Sequence, residues 1–254
     1  MTVPRDAAQF ATALVREAPV AVVCDGTTLG VMMASPDDLE DFVLGFAITE
    51  GVLRDPAELR EIEIVSHPQG FEARLWLAAA AGARIAERQR SMIGPVGCGL
   101  CGIDSLAKVE RALPTVPAGP RLSRAEACGA TALLRRHQPE HDRTRACHAA
   151  GFLVPGSGIV LAREDVGRHN ALDKLAGAVR RAGLDPATGA VVLTSRVSTE
   201  LVQKAASMGV SVLIAVSAAT DNAVRLAQGC GLTVVVRARG TGCEVLTAPE
   251  RITG

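Results

Sequence analysis

From residue 158 onward the sequence settles into short apolar runs separated by helical stretches, and no other feature limits the fold as tightly. The apolar runs cover residues 158–161, 190–193, 210–216 and 233–236, and the helical spacing covers roughly 170–182, 199–208 and 221–228. Strand, helix and strand repeated with buried β-branched runs predict right-handed crossovers and a mainly parallel sheet covered on both faces, an α/β domain. Such sheets take ligands at the carboxyl ends of their strands, where the strand-to-helix loops gather. Here those loops hold the most polar segments of the chain: Arg163 through Asn170, Thr194 through Ser198, and Ser217 through Asp221.

The first third reads differently. Val20 to Cys24 and Thr28 to Met33 flank Asp25-Gly26, a pair that tolerates the positive φ of a tight hairpin turn. Ser35 is expected to cap a helix with Pro36 at its first position, Leu39, Phe42, Val43 and Phe46 on one face, and Gly51 closing it. Ile62 with Ile64, and Phe71, Ala73, Leu75 and Leu77, alternate as two short strands around Pro68 and Gly70. Pro114, Pro117 and Pro120 make a stiff linker, after which Ser123 and Glu126 form a capping box for a helix running toward His137. The chain therefore divides into an N-terminal α+β part at residues 1–112, a Pro-rich linker at 113–122, and an α/β domain at 123–254.

Composition narrows the partners. Lys plus Arg and Asp plus Glu stand at 27 each, so no net field draws the chain to nucleic acid or anionic lipid, and any anion site must be local. With no Tyr, five Phe and one Trp, base-stacking platforms are hard to build. No apolar run approaches the ~20 residues of a membrane helix and residues 1–10 lack a signal-peptide pattern, so no membrane association and a cytoplasmic location are expected. Seven Cys, an odd number spread over a long chain, favour reduced thiols over a disulfide framework.

Two of those cysteines differ from the rest. Cys98 and Cys101 form a Cys-x-x-Cys flanked by Gly97, Gly99 and Gly102, in a loop at about 91–102 that enters a helix at 103–113. The positive end of that helix favours thiolate, which makes a nucleophile. The pair can close a disulfide, hold a persulfide beside a resolving thiol, or supply half of a zinc site. A plain pair of loop thiols is the weakest reading, because cysteine is usually buried and this loop buries little. Pro95, Cys98 and Cys101 loosely match half of a zinc deaminase signature. The other half is missing, since His67 is followed by Gln69 where a Glu must shuttle protons. A thioredoxin-type reductase fits poorly too, because its Cys-x-x-Cys follows the first strand of a much smaller domain.

The segment from Glu164 to Lys174 sets Asp165, Arg168, His169 and Asn170 at a helix entrance, with Asp173 and Lys174 one turn inside, where donors can hold a phosphate or a purine edge. The plainer reading has Asp165 or Asn170 capping the helix and the rest solvated. Ser195, Arg196 and Ser198 repeat the pattern before the next helix, and Arg237 and Arg239 lead into Gly240-Thr241-Gly242 just after the last apolar run. No Gly-Lys-Ser/Thr phosphate loop occurs, so nucleotide hydrolysis is not indicated.

These residues resemble the FdhD/NarQ family of sulfur carriers over nearly the whole chain. The matching segments are Ser35-Pro36-Asp37-Asp38-Leu39-Glu40-Asp41 with Leu44-Gly45-Phe46 and Thr49-Glu50-Gly51, then Cys98-Gly99-Leu100-Cys101-Gly102, and Arg196-Val197-Ser198-Thr199-Glu200 with Ser217-Ala218. The most specific is the unbroken Glu164-Asp165-Val166-Gly167-Arg168-His169-Asn170-Ala171-Leu172-Asp173-Lys174. Two segments depart from the family pattern: Thr144-Arg145-Ala146-Cys147-His148 stands for Thr-Gly-Gly-x-His, and Thr194-Ser195-Arg196 for Ser-Gly-Arg. The resemblance implies a cytidine-deaminase-like main domain without its zinc, and a homodimer. It implies a sulfurtransferase that takes persulfide sulfur from a cysteine desulfurase and passes it to the molybdenum or tungsten of a bis-pterin guanine dinucleotide, before that cofactor enters formate dehydrogenase. Cys98 would carry the persulfide and Cys101 would assist. Cofactor contacts map onto Arg237, Ala238, Arg239, Gly240, Thr241 and Gly242, with Arg168, His169, Asn170, Ser195, Arg196 and His148 around them, and a guanine nucleotide would serve as a surrogate ligand. A non-catalytic cofactor chaperone and, further off, a zinc-dependent deaminase are the competing functions.

Overall fold

The computed structural model describes residues 14–78, 82–91 and 113–254. Cys98, Cys101 and their glycine-rich loop lie outside the described residues, as does the helix expected after them.

Strands β1 (Ala18–Cys24) and β2 (Thr27–Ala34) form the expected hairpin, with Asp25 and Gly26 at φ 46° and 75°. Helix α1 (Leu39–Thr49) and strands β3 (Leu59–His67) and β4 (Gly70–Leu77) complete a four-stranded sheet in the order β2-β1-β4-β3, with β1 and β4 parallel. A further helix, α2, covers Gly82–Ser91. Helix α1 starts later than its sequence suggests. Ser35 does not cap it, because its N–H donates to Asp165 Oδ2 and its hydroxyl accepts from Val166 N, across the chain.

After the linker come β5 (Leu122–Ser123), α3 (Arg124–Leu134), opened by the Ser123–Glu126 capping box, and the short α4 (Pro139–Thr144). Strands β6 (His148–Val154) and β7 (Gly158–Asp165) form a hairpin, followed by α5 (Arg168–Arg181), β8 (Ala190–Leu193), α6 (Thr199–Met208), β9 (Val212–Ala215), α7 (Asp221–Cys230), β10 (Thr233–Arg239) and β11 (Gly242–Thr247). The terminal β12 (Ile252–Thr253) pairs with β5.

The main sheet runs β11-β10-β9-β8-β6-β7. Within it β8, β9 and β10 pair in parallel, whereas β6, β7 and β11 are held by antiparallel pairings. The expectation of a mainly parallel sheet is thus corrected to a mixed one. The run at 158–161 is not the first strand of a crossover but the return arm of a hairpin, and β10 continues past the apolar residues into a second hairpin. Both faces are covered as expected. Ala150, Phe152, Val191, Leu193, Leu213, Ala215, Val234 and Val236 pack under α5, α6 and α7, while Ala149, Leu153, Ala190, Val192, Val212, Ile214 and Val235 pack under α3. Val116 of the linker joins the first of these cores.

The two sheets are joined where α1 crosses α5. A Cβ on Gly45 would lie 1.6 Å from the Asp173 carbonyl oxygen, and one on Gly177 would lie 2.0 Å from that of Asp41. Only glycine permits this approach. Around the crossing, Arg163 and Arg181 both grip the buried Asp41 carboxylate, at 2.7 and 2.9 Å. The expectation of reduced thiols is corrected at one pair. Cys128 of α3 and Cys243 of β11 are joined by a disulfide, a contact between residues 115 positions apart that no local spacing signals. Cys24, Cys147 and Cys230 are free and buried.

Candidate functional site

Because β8, β9 and β10 are parallel while β6 runs against β8 and β7 against β6, the ends of β7, β8, β9 and β10 and the start of β6 share one edge of the sheet. The loops there are tied to one another through the backbone. Val197 N donates to Ala218 O and Thr220 N to Val197 O, Arg237 N donates to Ser217 O, and Thr194 N reaches Ala149 O. The result is a continuous rim that carries Arg168, His169, Ser195, Arg196, Arg237 and Arg239.

Three helices start on this rim, and they differ at their first turns. Helix α7 is capped, with Thr220 Oγ1 accepting from Ala223 N. Neither α5, entered through Gly167, nor α6, entered through Ser198, has a side-chain cap. Ser198 Oγ is buried and has no hydrogen-bond partner among the described residues. Uncapped N-termini leave backbone N–H groups and the positive end of the helix dipole open to an anion. No ion pair holds Arg168 or the exposed Arg196 among the described residues, so both guanidinium groups are available on the same rim.

The structure divides the long polar segment at 163–174 between rim and interior. Arg163, Glu164 and Asp165 belong to strand β7 rather than to a loop. Asp165 and Lys174 form a fully buried ion pair at 2.7 Å, and Lys174 Nζ also donates to Ser35 O. The Asn170 amide donates to Met33 O and Asp165 Oδ1, so its nitrogen is committed to the join between the two sheets. Asp173 is enclosed with Lys204, Thr49 and Glu50. Burial pushes the Asp173 carboxyl up to about 6, although Lys204 pulls against it. Arg168 and His169 remain for the rim.

His169 is no phosphate cation. Burial, with the charges of Lys204 and Arg168 beside it, pushes its imidazole down to about 3, so it stays neutral at physiological pH. Its buried Nε2 has no hydrogen-bond partner among the described residues and lies 4.0 Å from Glu200 Oε2 on α6. Glu200 is a neighbour that the sequence alone did not single out, and the one available signal was its place in the Arg196-to-Glu200 segment. His148 opens β6 opposite Asp165, and burial followed by Arg168 lowers its pKa. Ser195 is buried, with its hydroxyl on Arg196 O.

The stretch from Arg237 to Gly242 lies at this edge as the end of β10 and its turn into β11. Arg237 takes a left-handed φ of 51° where the β10–β11 register breaks, and its exposed guanidinium meets Glu244 at 2.9 Å. Arg239 Nε donates to Val216 O, over the end of β9. Ala238 points the other way, fully buried against α3, with its carbonyl accepting from Thr131 Oγ1. Gly240, at φ 59°, and Thr241 make the turn, and Gly242 begins β11.

A model of the FdhD/NarQ family matches residues 15–253. The chain belongs to the FdhD/NarQ family. It is 44% identical to the sulfur carrier protein FdhD of Agrobacterium fabrum, covering 94% of this chain and 89% of that one. It is 45% identical to the sulfur carrier protein FdhD of Variovorax paradoxus, over 94% and 86% of the two chains. A crystal structure of a proposed formate dehydrogenase accessory protein from Desulfotalea psychrophila superposes with a TM-score of 0.73 at 26% identity, covering 94% of this chain and 90% of that one. For this FdhD/NarQ member, no helix among the described residues is long and apolar enough to cross a membrane.

Proposed function

We propose that the protein is a sulfur carrier serving formate dehydrogenase, and that it works through a persulfide on Cys98. In this reading the Cys98 thiolate attacks the terminal sulfur of a cysteine desulfurase persulfide, a new S–S bond forms on Cys98, and the donor cysteine leaves as thiolate. Cys101 assists release of that sulfur. The acceptor is the molybdenum or tungsten of a bis-pterin guanine dinucleotide, handled as cargo before it enters the dehydrogenase.

The observation that carries this reading is the rim of the main sheet. Two uncapped helix N-termini, at α5 and α6, share with Arg168, Arg196, Arg237 and Arg239 the sheet edge at which β7, β8, β9 and β10 end. A dinucleotide brings phosphates that need such donors, and the arginines can bind phosphate oxygens in pairs. The neutral His169 and the Ser198 hydroxyl suit a base or sugar edge better than a phosphate. The sheet order, with an antiparallel strand beside three parallel ones, agrees with a cytidine-deaminase-like domain. The same reading has the protein acting in the cytoplasm as a homodimer.

Calorimetry with GDP against CDP tests the ligand. GDP is expected to bind, more tightly than CDP and less tightly as salt rises. A folded protein that binds neither removes the rim as the cofactor site. A protein that binds GDP and matures formate dehydrogenase with Cys98 replaced by Ala is a chaperone rather than a sulfurtransferase.

A further inference from the structure

We propose that Cys128 and Cys243 form a second thiol centre, separate from Cys98 and Cys101: a reducible disulfide that holds the β10–β11 hairpin in the shape that presents Arg237 and Arg239.

The base of β10 is held by its parallel pairing with β9, and the far end of the hairpin by single contacts: Arg237 N to Ser217 O, Arg239 Nε to Val216 O and Arg237 to Glu244. Among the described residues β11 is an edge strand paired with β10 alone, and register shifts interrupt that ladder between Val234 and Val235 and again between Val236 and Arg239. Arg237 sits in left-handed backbone, which a residue with a side chain adopts only when its surroundings impose it. Arg237 N is held by Ser217 O, and the residues that flank this stretch, Ala238 and Cys243, are held from α3. Arg124, Cys128 and Thr131 share one helical face, and all three reach the hairpin. Arg124 Nη2 donates to Cys243 O at 3.0 Å, Thr131 Oγ1 donates to Ala238 O at 2.5 Å, and the disulfide stands between them. Cys243 is the second residue of β11, so the covalent tie lies just past the Gly240-Thr241 turn that follows Arg239.

The other described thiols are poor redox partners. Burial raises Cys24 to about 12, Cys147 to about 11, and Cys230 above its usual value, which keeps them as unreactive thiols. The class of reductant is a dithiol, small or protein-borne. Its thiolate attacks Cys243 Sγ, since Cys243 is 7% exposed against 1% for Cys128. The Cys128–Cys243 bond breaks, Cys128 leaves as thiolate and takes a proton, and a mixed disulfide forms on Cys243. The second donor thiolate then releases Cys243 and closes the donor's own disulfide, so two electrons and two protons have passed to the protein.

The thiol centre stands on the geometry alone, and its effect on nucleotide rests on the ligand rim proposed above. The experiment therefore has a readout for each, made in a Cys98→Ala/Cys101→Ala background so that the first pair contributes nothing. Peptide mapping without reductant, after alkylation, is expected to recover the segments around residues 128 and 243 linked, and alkylated only after treatment with tris(2-carboxyethyl)phosphine. Hydrogen exchange over residues 237–247 is expected to quicken on reduction, and GDP affinity to fall by about threefold to tenfold as the arginines lose their pre-organisation. A further Cys128→Ala/Cys243→Ala change is expected to give fast exchange with or without reductant. If that variant does not fold, the reduced and oxidised forms of the background protein make the same comparison. Free alkylation of both cysteines in unreduced protein, or hairpin exchange indifferent to reduction, overturns the proposal. Linked peptides and reduction-sensitive exchange without GDP binding to either form leave the thiol centre standing and remove the nucleotide rim instead.

Discussion

Lys174 Nζ lies 2.7 Å from Asp165 Oδ2 with both side chains closed to solvent, and Ser35 is bound by both of them. The Lys174 ammonium donates to Ser35 O at 2.9 Å while the carboxylate accepts from Ser35 N at 3.0 Å. One backbone residue of the N-terminal sheet unit is thus clamped by an ion pair rooted beside the rim. Asn170 adds a second tie, to Met33 O.

Replacing Lys174 with Met leaves the Asp165 carboxylate buried without its counter-charge. Removal of one partner from a buried pair costs about 3–5 kcal/mol. Urea unfolding of Lys174→Met is expected to show a loss of that size, and a loss below about 1 kcal/mol would mean that the clamp contributes little.

Two glycines give a matched comparison. Gly45→Ala places a methyl group where the Asp173 carbonyl oxygen already stands, 1.6 Å away, and must push α1 off α5. Gly129→Ala, within α3, meets nothing within 4 Å and gains helix propensity, up to about 1 kcal/mol. Thermal unfolding of the two variants is expected to move in opposite directions.

His169 makes stability depend on pH. Its folded pKa of about 3 lies below the ordinary value of 6.5, so only the unfolded chain takes up this proton as pH falls. The contribution is full above pH 6.5 and is lost progressively as pH falls toward 3. Between pH 7 and pH 5 the loss is of the order of 1–2 kcal/mol. Asp173, raised to about 6, works in the opposite direction between that value and 3.8, and the lowered His148 works in the same direction as His169. The effect is therefore read as the difference between wild type and His169→Gln, whose unfolding midpoints are expected to converge as pH falls from 7 to 5. Parallel pH profiles would place the His169 imidazole in solvent rather than in the wall of the rim.

For the rim arginines, Arg168→Ala and Arg239→Ala are each expected to weaken GDP binding by about tenfold and to flatten its salt dependence, since a charged hydrogen bond to phosphate is lost in each. Calorimetry at two salt concentrations reads both quantities. Unchanged affinity in both variants would move the phosphates elsewhere.

Much of this arrangement is legible in the chain itself, and the misses share a cause. Asp25-Gly26 announces its hairpin, Ser123 and Glu126 their helix, and α6 its full extent at 199–208, because each signal is local. Strand β6 escapes notice because Ala149, Ala150 and Gly151 carry weak strand propensity, and β6 owes its place to the partners on either side. Ser35 looks like a cap, but its groups are claimed by Asp165 and Val166, some 130 positions away. The segment from Glu164 to Lys174 declares itself polar and special. Sequence cannot divide it into Asp165, Asn170, Asp173 and Lys174 facing inward and Arg168 and His169 at the rim, because that division depends on where α1 crosses α5. The Cys128–Cys243 bond likewise depends on a helix and an edge strand meeting across the sheet.

The proposed function requires that sulfur travel on Cys98. Intact-protein and peptide mass spectrometry after incubation with a cysteine desulfurase and cysteine addresses it most directly. One added sulfur, about 32 Da, is expected on the peptide bearing Cys98, removed by reductant and absent from Cys98→Ala while that variant stays folded. Sulfur found on another cysteine, or none on a folded protein that still supports formate dehydrogenase maturation, would contradict it.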